Sequence, residues 1–162
     1  MRPVELALAL DKYLRPQTFA VGVKLLKSKA ELPPGIFQVT AAYHHKVALC
    51  QGFGLARRNR LTLALFKEDM VCPVGAAVMG LGERPQYVME GRLGIPRYHH
   101  TLEAAAASEK AMHHFAVGEY AGLVVGPLDG IDFAPDLAMI YVNSLQVSRL
   151  IQADLYEKGG RF

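Results

Sequence analysis

The sequence lacks several features that would place it in a specialised class of protein. Its 162 residues include only two cysteines, too few for the disulfide framework of a small secreted domain. No apolar run approaches the roughly 20 residues of a membrane span, and residues 1–5 reach an acidic side chain before any continuous apolar core, unlike a signal peptide. The basic excess, 18 residues against 15 acidic ones, is too small and scattered for a nucleic-acid surface. We therefore expect a cytoplasmic protein that binds neither nucleic acid nor membrane.

Composition and periodicity predict a mixed α/β protein. Hydrophobic residues make up 51% of the chain, which excludes intrinsic disorder because there is ample side chain to bury. Apolar residues recur at helical spacing in five segments and form short strand-like runs in four others. There is no internal repeat and no obvious linker. We predict one compact domain over residues 1–162, with a small mixed sheet flanked by helices.

Local start and stop signals set the bounds of these elements. Pro16 ends the first helix, Thr40 and Thr101 are predicted N-caps, and the step from Cys72 to Pro73 starts a short helix. Residues 83–100 contain four glycine or proline breaks and receive no element. The predicted helices are 4–14, 41–58, 73–79, 102–114 and 144–156, and the predicted strands are 18–26, 61–65, 123–125 and 137–142.

Several motifs spread along the chain resemble the domain of unknown function 169 family. They are VGVKL at 21–25, ALCQ at 48–51, EDMVCPVGA at 68–76, VVGPL at 124–128, PDL at 135–137 and IYVN at 140–143. The family is uncharacterised, so the resemblance implies a related fold and a pair of characteristic cysteines, and no activity. It also implies that members generally continue past residues 159–161 with further cysteine-containing segments, so that this chain resembles the N-terminal half of the family.

Cys50 and Cys72 are the first candidates for chemistry. They are not arranged as a Cys-x-x-Cys pair, so neither a zinc knuckle nor a thioredoxin-type motif is present. Cys72 precedes Pro73 at a predicted helix start, where the N–H dipoles stabilise a thiolate. Gly52 leaves space beside Cys50. Both cysteines could instead be small buried hydrophobes. As thiolates they would be ligands of an iron–sulfur cluster or another metal, with further ligands from histidines, a second subunit or the additional family segments.

Lys24 is a second candidate, because it interrupts an apolar predicted strand. A lysine there either extends its amine from an edge of the sheet or is buried beside an anion. We therefore consider Lys24 a candidate for binding a cofactor or an anion.

Other charged and titratable residues are expected to have structural roles. The six histidines form three adjacent pairs, and neighbouring helical residues point about 100° apart, so one pair cannot chelate a metal from a helix face. Glu68 and Asp69 are predicted to lie near the positive end of the helix that starts at Pro73. A basic cluster (Arg57, Arg58 and Arg60) is predicted to complement the negative end of the preceding helix. No Ser-His-Asp arrangement stands out.

Three functions remain open. The first is a metal- or iron–sulfur-associated redox protein that uses Cys50 and Cys72 as thiolate ligands. The second is a non-catalytic small-molecule or anion-binding module that uses Lys24 and the loops around Gly35 and Gly94. The third is a structural subunit of a larger assembly.

The end of the sequence favours a partner. The predicted strand 137–142 is apolar and lies late in the chain, and the sequence stops after residues 159–162 without an element that would cover it. We expect either a homo-oligomer or a companion chain.

Overall fold

A computed structural model of the protein describes residues 1–161. In this part of the chain it contains seven α-helices and five strands, which confirms the mixed α/β class. The helices are α1 (Pro3–Tyr13), α2 (Val39–Tyr43), α3 (Leu49–Asn59), α4 (Pro73–Val78), α5 (Gln86–Met89), α6 (Leu102–Ala111) and α7 (Ser144–Lys158). The strands are β1 (Val21–Leu26), β2 (Phe37–Gln38), β3 (Leu63–Phe66), β4 (Gly122–Pro127) and β5 (Leu137–Met139).

The five strands form one mixed sheet in the order β2-β3-β4-β1-β5. At one edge β5 pairs antiparallel with β1, so that Val21 lies opposite Met139 and Val23 opposite Leu137. At the other edge the short strand β2 runs parallel to β3. The prediction of a small mixed sheet is therefore confirmed.

The chain forms two compact units. Unit 1 comprises residues 1–24, residues 53–62 and the chain from Val125 onwards, and unit 2 comprises residues 25–52 and 63–124. Strands β1 and β4 and helix α3 each contribute residues to both units. The single domain expected from the sequence remains a prediction.

The core of unit 1 lies between α1, the start of β1 and the segment after β4. Its buried members are Ala7, Ala20, Leu128 and Ile131, and partly buried apolar side chains surround them. Gly22 explains how closely β1 approaches this segment, because a Cβ atom there would lie only 2.4 Å from Cδ1 of Ile131. A larger residue there would require the Ile131 side chain to move.

The core of unit 2 is built around β3, whose four residues are all buried. A run without polar alternation is typical of a strand covered on both faces. Gly122 gives β4 a close approach to β3, since a Cβ there would lie 2.7 Å from the carbonyl oxygen of Leu65.

Asp69 is a fully buried acidic residue in unit 2. Its carboxylate accepts hydrogen bonds from the backbone N–H of Thr40 at 3.0 Å and of Phe66 at 2.8 Å, and also from the Thr40 hydroxyl. Its neighbour Glu68 instead binds Lys29 and accepts from Nε2 of Gln38 at 3.0 Å. The two acidic residues thus tie separate segments together, rather than serving the N-terminus of α4.

Two helix starts agree with the local signals and one predicted helix does not. Thr101 caps α6 by accepting the N–H of Ala104 at 3.2 Å, and Pro73 is the first residue of α4. The predicted helix 41–58 is wrong, because it is divided into α2 and α3. His44 has a left-handed backbone with φ of 58°, which ends a helix, and Val47 then pairs with Met70 as a β-bridge.

Other bounds differ from prediction at their ends. Of the predicted strand 137–142, only the first three residues form a strand, which is β5. The helix that was expected to reach residue 114 ends at Ala111. Within residues 1–161, no helix combines the length and hydropathy of a membrane-spanning segment.

Candidate functional site

Cys72 lies at a helix start, as the sequence predicted, and Cys50 lies within a helix as predicted, although near the start of α3 rather than inside a helix 41–58. Cys50 is the second residue of α3 and is exposed, and Cys72 is the N-cap of α4 and half-buried. Both are free thiols.

The segments that carry the cysteines are joined within unit 2. The N–H of Val71 donates to the carbonyl oxygen of Val47 at 3.0 Å. A Cβ atom at Gly75 would lie 3.0 Å from Cβ of Leu49, so the first turns of α3 and α4 are in contact. Among the described residues, however, no group of three or more histidine, cysteine or acidic side chains is arranged to hold a metal. Ligation by Cys50 and Cys72 therefore stays a prediction.

Two of the paired histidines have polar partners within unit 2. Nδ1 of His45 lies 2.7 Å from the carbonyl oxygen of Tyr43. Nδ1 of His114 lies 2.9 Å from that of Phe115, and its Nε2 lies 3.2 Å from Nη2 of Arg84. These contacts are structural ones, in keeping with the interpretation of the pairs from sequence.

Lys24 lies in β1 and is half-buried. It is not among the residues that line the cleft described next. Its assignment as a binding residue therefore also stays a prediction.

A cleft of unit 1 brings together polar residues that are distant in sequence. We call it the arginine cleft; it has a volume of about 350 Å³, and its walls are Asp11, residues 16–19, Arg57 and Arg58. Arg15 has φ of 53° directly after α1, and Pro16 turns the chain into the extended segment that leads to β1. The last turn of α3 supplies the two arginines.

Two residues that line the arginine cleft each have a buried polar atom without a hydrogen-bond partner among the described residues. The two atoms are Oγ1 of Thr18 and Nε of Arg57. The one further such atom in the described chain is Oε2 of Glu109, in unit 2. Buried polar groups in proteins are nearly always paired, and an exception commonly marks the place of a bound water, ion or ligand.

Aromatic side chains hold the arginines of this region in place. Cζ of Arg57 lies 3.8 Å from the ring centroid of Tyr141. Cζ of Arg60 lies 4.2 Å from the ring centroid of Phe19, and its Nη2 donates to Oδ2 of Asp129 at 2.8 Å. Phe19, a wall residue, is thus fixed by a cation that is itself anchored by an ion pair.

The charges that line the arginine cleft do not neutralise one another. Within residues 1–161, neither Arg57 nor Arg58 forms an ion pair with Asp11 or with any other acid. The residues that line the cleft thus include two arginines and one aspartate that are not paired with one another.

Two larger clefts do not combine two arginines and an acidic residue with buried, unpartnered polar atoms of the described residues. One in unit 2, of about 580 Å³, is lined mainly by glycine and apolar residues together with Lys67, Glu83 and Tyr120. Another in unit 1, of about 600 Å³, includes Gln146, whose side-chain amide already donates to the carbonyl oxygens of Leu14 and Arg15. Neither has a buried, unpartnered polar atom on its walls among the described residues.

The sequence interpretation missed the arginine cleft. It assigned Arg57 and Arg58 to the negative end of a helix, which is where they are. What it lacked was any sign that Thr18 lies beside them. Gln17 and Thr18 are polar residues between a helix and a strand, and this position alone did not indicate that they line a cleft.

Comparison with known proteins gives a family but no activity. The profile of the DUF169 family, described as an uncharacterised ArCR, matches residues 9–162. An uncharacterised protein of Methanocaldococcus jannaschii, MJ0308, is 34% identical over 143 residues, which are 88% of this chain and 60% of that protein. The chain therefore spans about 60% of the length of this curated relative. No solved structure matches it.

Proposed function

Since the chain belongs to the DUF169 family, described only as uncharacterised, we propose a function from its own geometry: it is a non-catalytic module that binds a small organic anion in the arginine cleft. The observation that carries this proposal is that Thr18 and Arg57, which line one cleft together with Arg58, each have a buried and unpartnered polar atom, Oγ1 and Nε. The sequence analysis also gave a non-catalytic small-molecule or anion-binding module as its second possibility. It assigned the binding to Lys24 and to the loops around Gly35 and Gly94 instead of the arginine cleft.

The energetics of the unpartnered atoms favour a ligand. A buried donor without an acceptor costs about 1–3 kcal/mol of stability, and two such atoms in one cleft double that cost. An anion that enters the cleft supplies acceptors for the hydroxyl of Thr18 and for the guanidinium of Arg57.

The arginines suit a carboxylate or a phosphate. A guanidinium presents its donors in a planar fork that matches the two oxygens of such a group. The contact with Tyr141 orients the guanidinium of Arg57 before any ligand arrives, which lowers the entropy lost on binding. The cleft volume of about 350 Å³ lies at the small end of the range for ligand sites, about 300–1,000 Å³.

The experiment is a calorimetric titration of the purified protein with acetate, 3-methylbutanoate, succinate and inorganic phosphate. Arg57→Lys keeps the charge but loses Nε and the planar fork. Its matched control is Arg97→Lys, at an exposed position in unit 2. We expect saturable binding by the wild type and by R97K. R57K should bind about tenfold more weakly or worse, since a hydrogen bond to a charged group contributes about 1.5–3 kcal/mol.

Two results would contradict this proposal. One is that no anion in the panel binds the wild type. The other is that R57K, shown by thermal melting to be folded, binds as tightly as the wild type.

A second candidate function, metal binding by thiolates, is supported by a separate observation. The Val71 to Val47 hydrogen bond joins the two cysteine-bearing segments. In this proposal Cys50 and Cys72 supply two ligands of an iron–sulfur cluster or another metal, and a second copy or a companion chain supplies the rest. The thiolate proposal also assigns the protein to the cytoplasm, where free thiols stay reduced.

The thiolate proposal is tested by anaerobic purification, metal analysis and a visible absorption spectrum. Cys72→Ser should abolish the bound metal and leave the melting temperature nearly unchanged. Protein that is metal-free and colourless after anaerobic purification would rule this candidate out and leave the anion-binding proposal intact.

A further inference from the structure

The position of Asp11 narrows the chemistry of the ligand. Asp11 is an exposed residue near the end of α1, and it lines the same cleft as Arg57 and Arg58. Opposite charges in one small cleft attract each other. Nevertheless, among the described residues, Asp11 pairs with neither arginine. The cleft therefore keeps its positive and negative groups separate.

We propose that the ligand of the arginine cleft is a small zwitterion of the amino-acid class. Its carboxylate binds Arg57 and Arg58 and accepts from the hydroxyl of Thr18, and its ammonium group binds the carboxylate of Asp11. This inference rests on the anion-binding function proposed above and specifies its ligand.

A zwitterion fits the charges of the cleft better than a simple anion does. A phosphate or a dicarboxylate attracted by the two arginines would bring negative charge towards the Asp11 carboxylate. A molecule with an ammonium group converts that repulsion into a second ion pair. Because a site built for a polar group rejects an analogue that lacks it, the cleft should discriminate strongly between an amino acid and the same acid without its amine.

The apolar walls suit the remaining part of such a molecule. Pro16 and Phe19 line the cleft, and the stacked Arg60 holds the ring of Phe19. A carbon skeleton between the two charged ends can pack against these side chains. Apolar surface with a few convergent polar groups is typical of small-molecule sites.

The experiment compares an amino acid with its own fragments. The purified protein is titrated with the twenty common L-amino acids, and the tightest binder is compared with its des-amino acid, its decarboxylated amine and inorganic phosphate. The variant is Asp11→Asn. The matched control is Asp132→Asn, at an exposed position in the same unit.

We expect the wild type and D132N to bind one amino acid about tenfold more tightly than its des-amino acid, its amine or phosphate, as one charged hydrogen bond accounts for about that factor. D11N should lose this preference while its affinity for the des-amino acid is maintained. That second readout separates recognition of the ammonium group from a merely structural role of Asp11.

Each contrary result has a distinct meaning. If the des-amino acid or phosphate binds as tightly as the amino acid, the zwitterion proposal fails and the anion-binding function stands. If D11N weakens both ligands equally, Asp11 does not recognise the amine and the zwitterion proposal fails. If no amino acid, acid or phosphate binds, both proposals fail.

Discussion

The guanidinium of Arg57 lies against the ring of Tyr141, with 3.8 Å between Cζ and the ring centroid. Arg57 is half-buried at the end of α3, and Tyr141 follows β5 closely in the chain. A cation over an aromatic face contributes about 0.5–1 kcal/mol at an exposed site and about 2 kcal/mol when desolvated. The contact also selects one orientation of the planar fork.

We therefore expect Tyr141→Ala to weaken anion binding by about fivefold, because a loss of about 1 kcal/mol corresponds to that factor. Tyr141→Phe keeps the ring and should bind as the wild type does. Calorimetry with the tightest ligand measures both. Equal affinities for Y141A and Y141F would show that the ring does not orient Arg57 for binding.

The buried carboxylate of Asp69 should be required for stability. Asp69→Ala leaves the N–H groups of Thr40 and Phe66 and the Thr40 hydroxyl without an acceptor. We expect the free energy of unfolding, measured in urea, to fall by about 3 kcal/mol or more. Glu68→Ala is the control. It removes only surface contacts, such as the exposed pair with Lys29, and should lower the free energy of unfolding by less than about 1 kcal/mol. A loss in D69A no larger than that in E68A contradicts this account.

Glu68 should make the protein slightly less stable in acid. The hydrogen bond from Lys29 lowers the pKa of Glu68 below its usual 4.5. The unfolded chain therefore binds this proton more readily than the folded one, so the contribution is complete above the usual pKa and is lost as the pH falls through the lowered one. Both side chains are largely exposed, so the effect is a few tenths of a kcal/mol. The stability difference between the wild type and Glu68→Gln should shrink from pH 7 to pH 3. A constant difference would contradict this assignment.

Two glycines provide a matched pair of substitutions. At Gly122 a Cβ would lie 2.5 Å from Cδ1 of Phe66 and 2.7 Å from the carbonyl oxygen of Leu65. Gly122→Ala should therefore destabilise the protein by about 1–3 kcal/mol. At Gly54, inside α3, a Cβ meets nothing within 4 Å. Gly54→Ala should stabilise it by up to about 1 kcal/mol. Thermal melting of the two variants should therefore show shifts of opposite sign.

The elements that sequence predicted well are those fixed by local rules. The hydroxyl of Thr101 and the ring of Pro73 act on residues within one turn of themselves, so their patterns are visible in the sequence. The break between α2 and α3 is different. Val47 pairs with Met70, and the N–H of Thr40 is bound by Asp69. Partners that are distant in the chain divide a segment whose local periodicity is helical throughout.

The candidate sites show the same difference between features set by local signals and features set by contacts that are distant in the chain. The placement of Cys50 and Cys72 depends on local signals and was predicted. The arginine cleft depends on Thr18, at the end of one segment, meeting Arg57 at the end of another. Nothing in the composition or spacing of either segment records that meeting. Only the fold, through the turn at Arg15 and Pro16, brings them to one surface.

The hydrogen bonds of Asp69 have a consequence for how this sequence can diverge. Two of its three donors are backbone N–H groups, at positions 40 and 66, and every amino acid except proline carries one. Side chains at those positions can therefore change over evolutionary time without loss of these two backbone bonds, provided that proline does not appear, whereas the third bond requires a hydroxyl at position 40. Position 69 has no such freedom, because its carboxylate is the shared acceptor. Among related chains, variation should be tolerated around this acid and proline excluded from both donor positions.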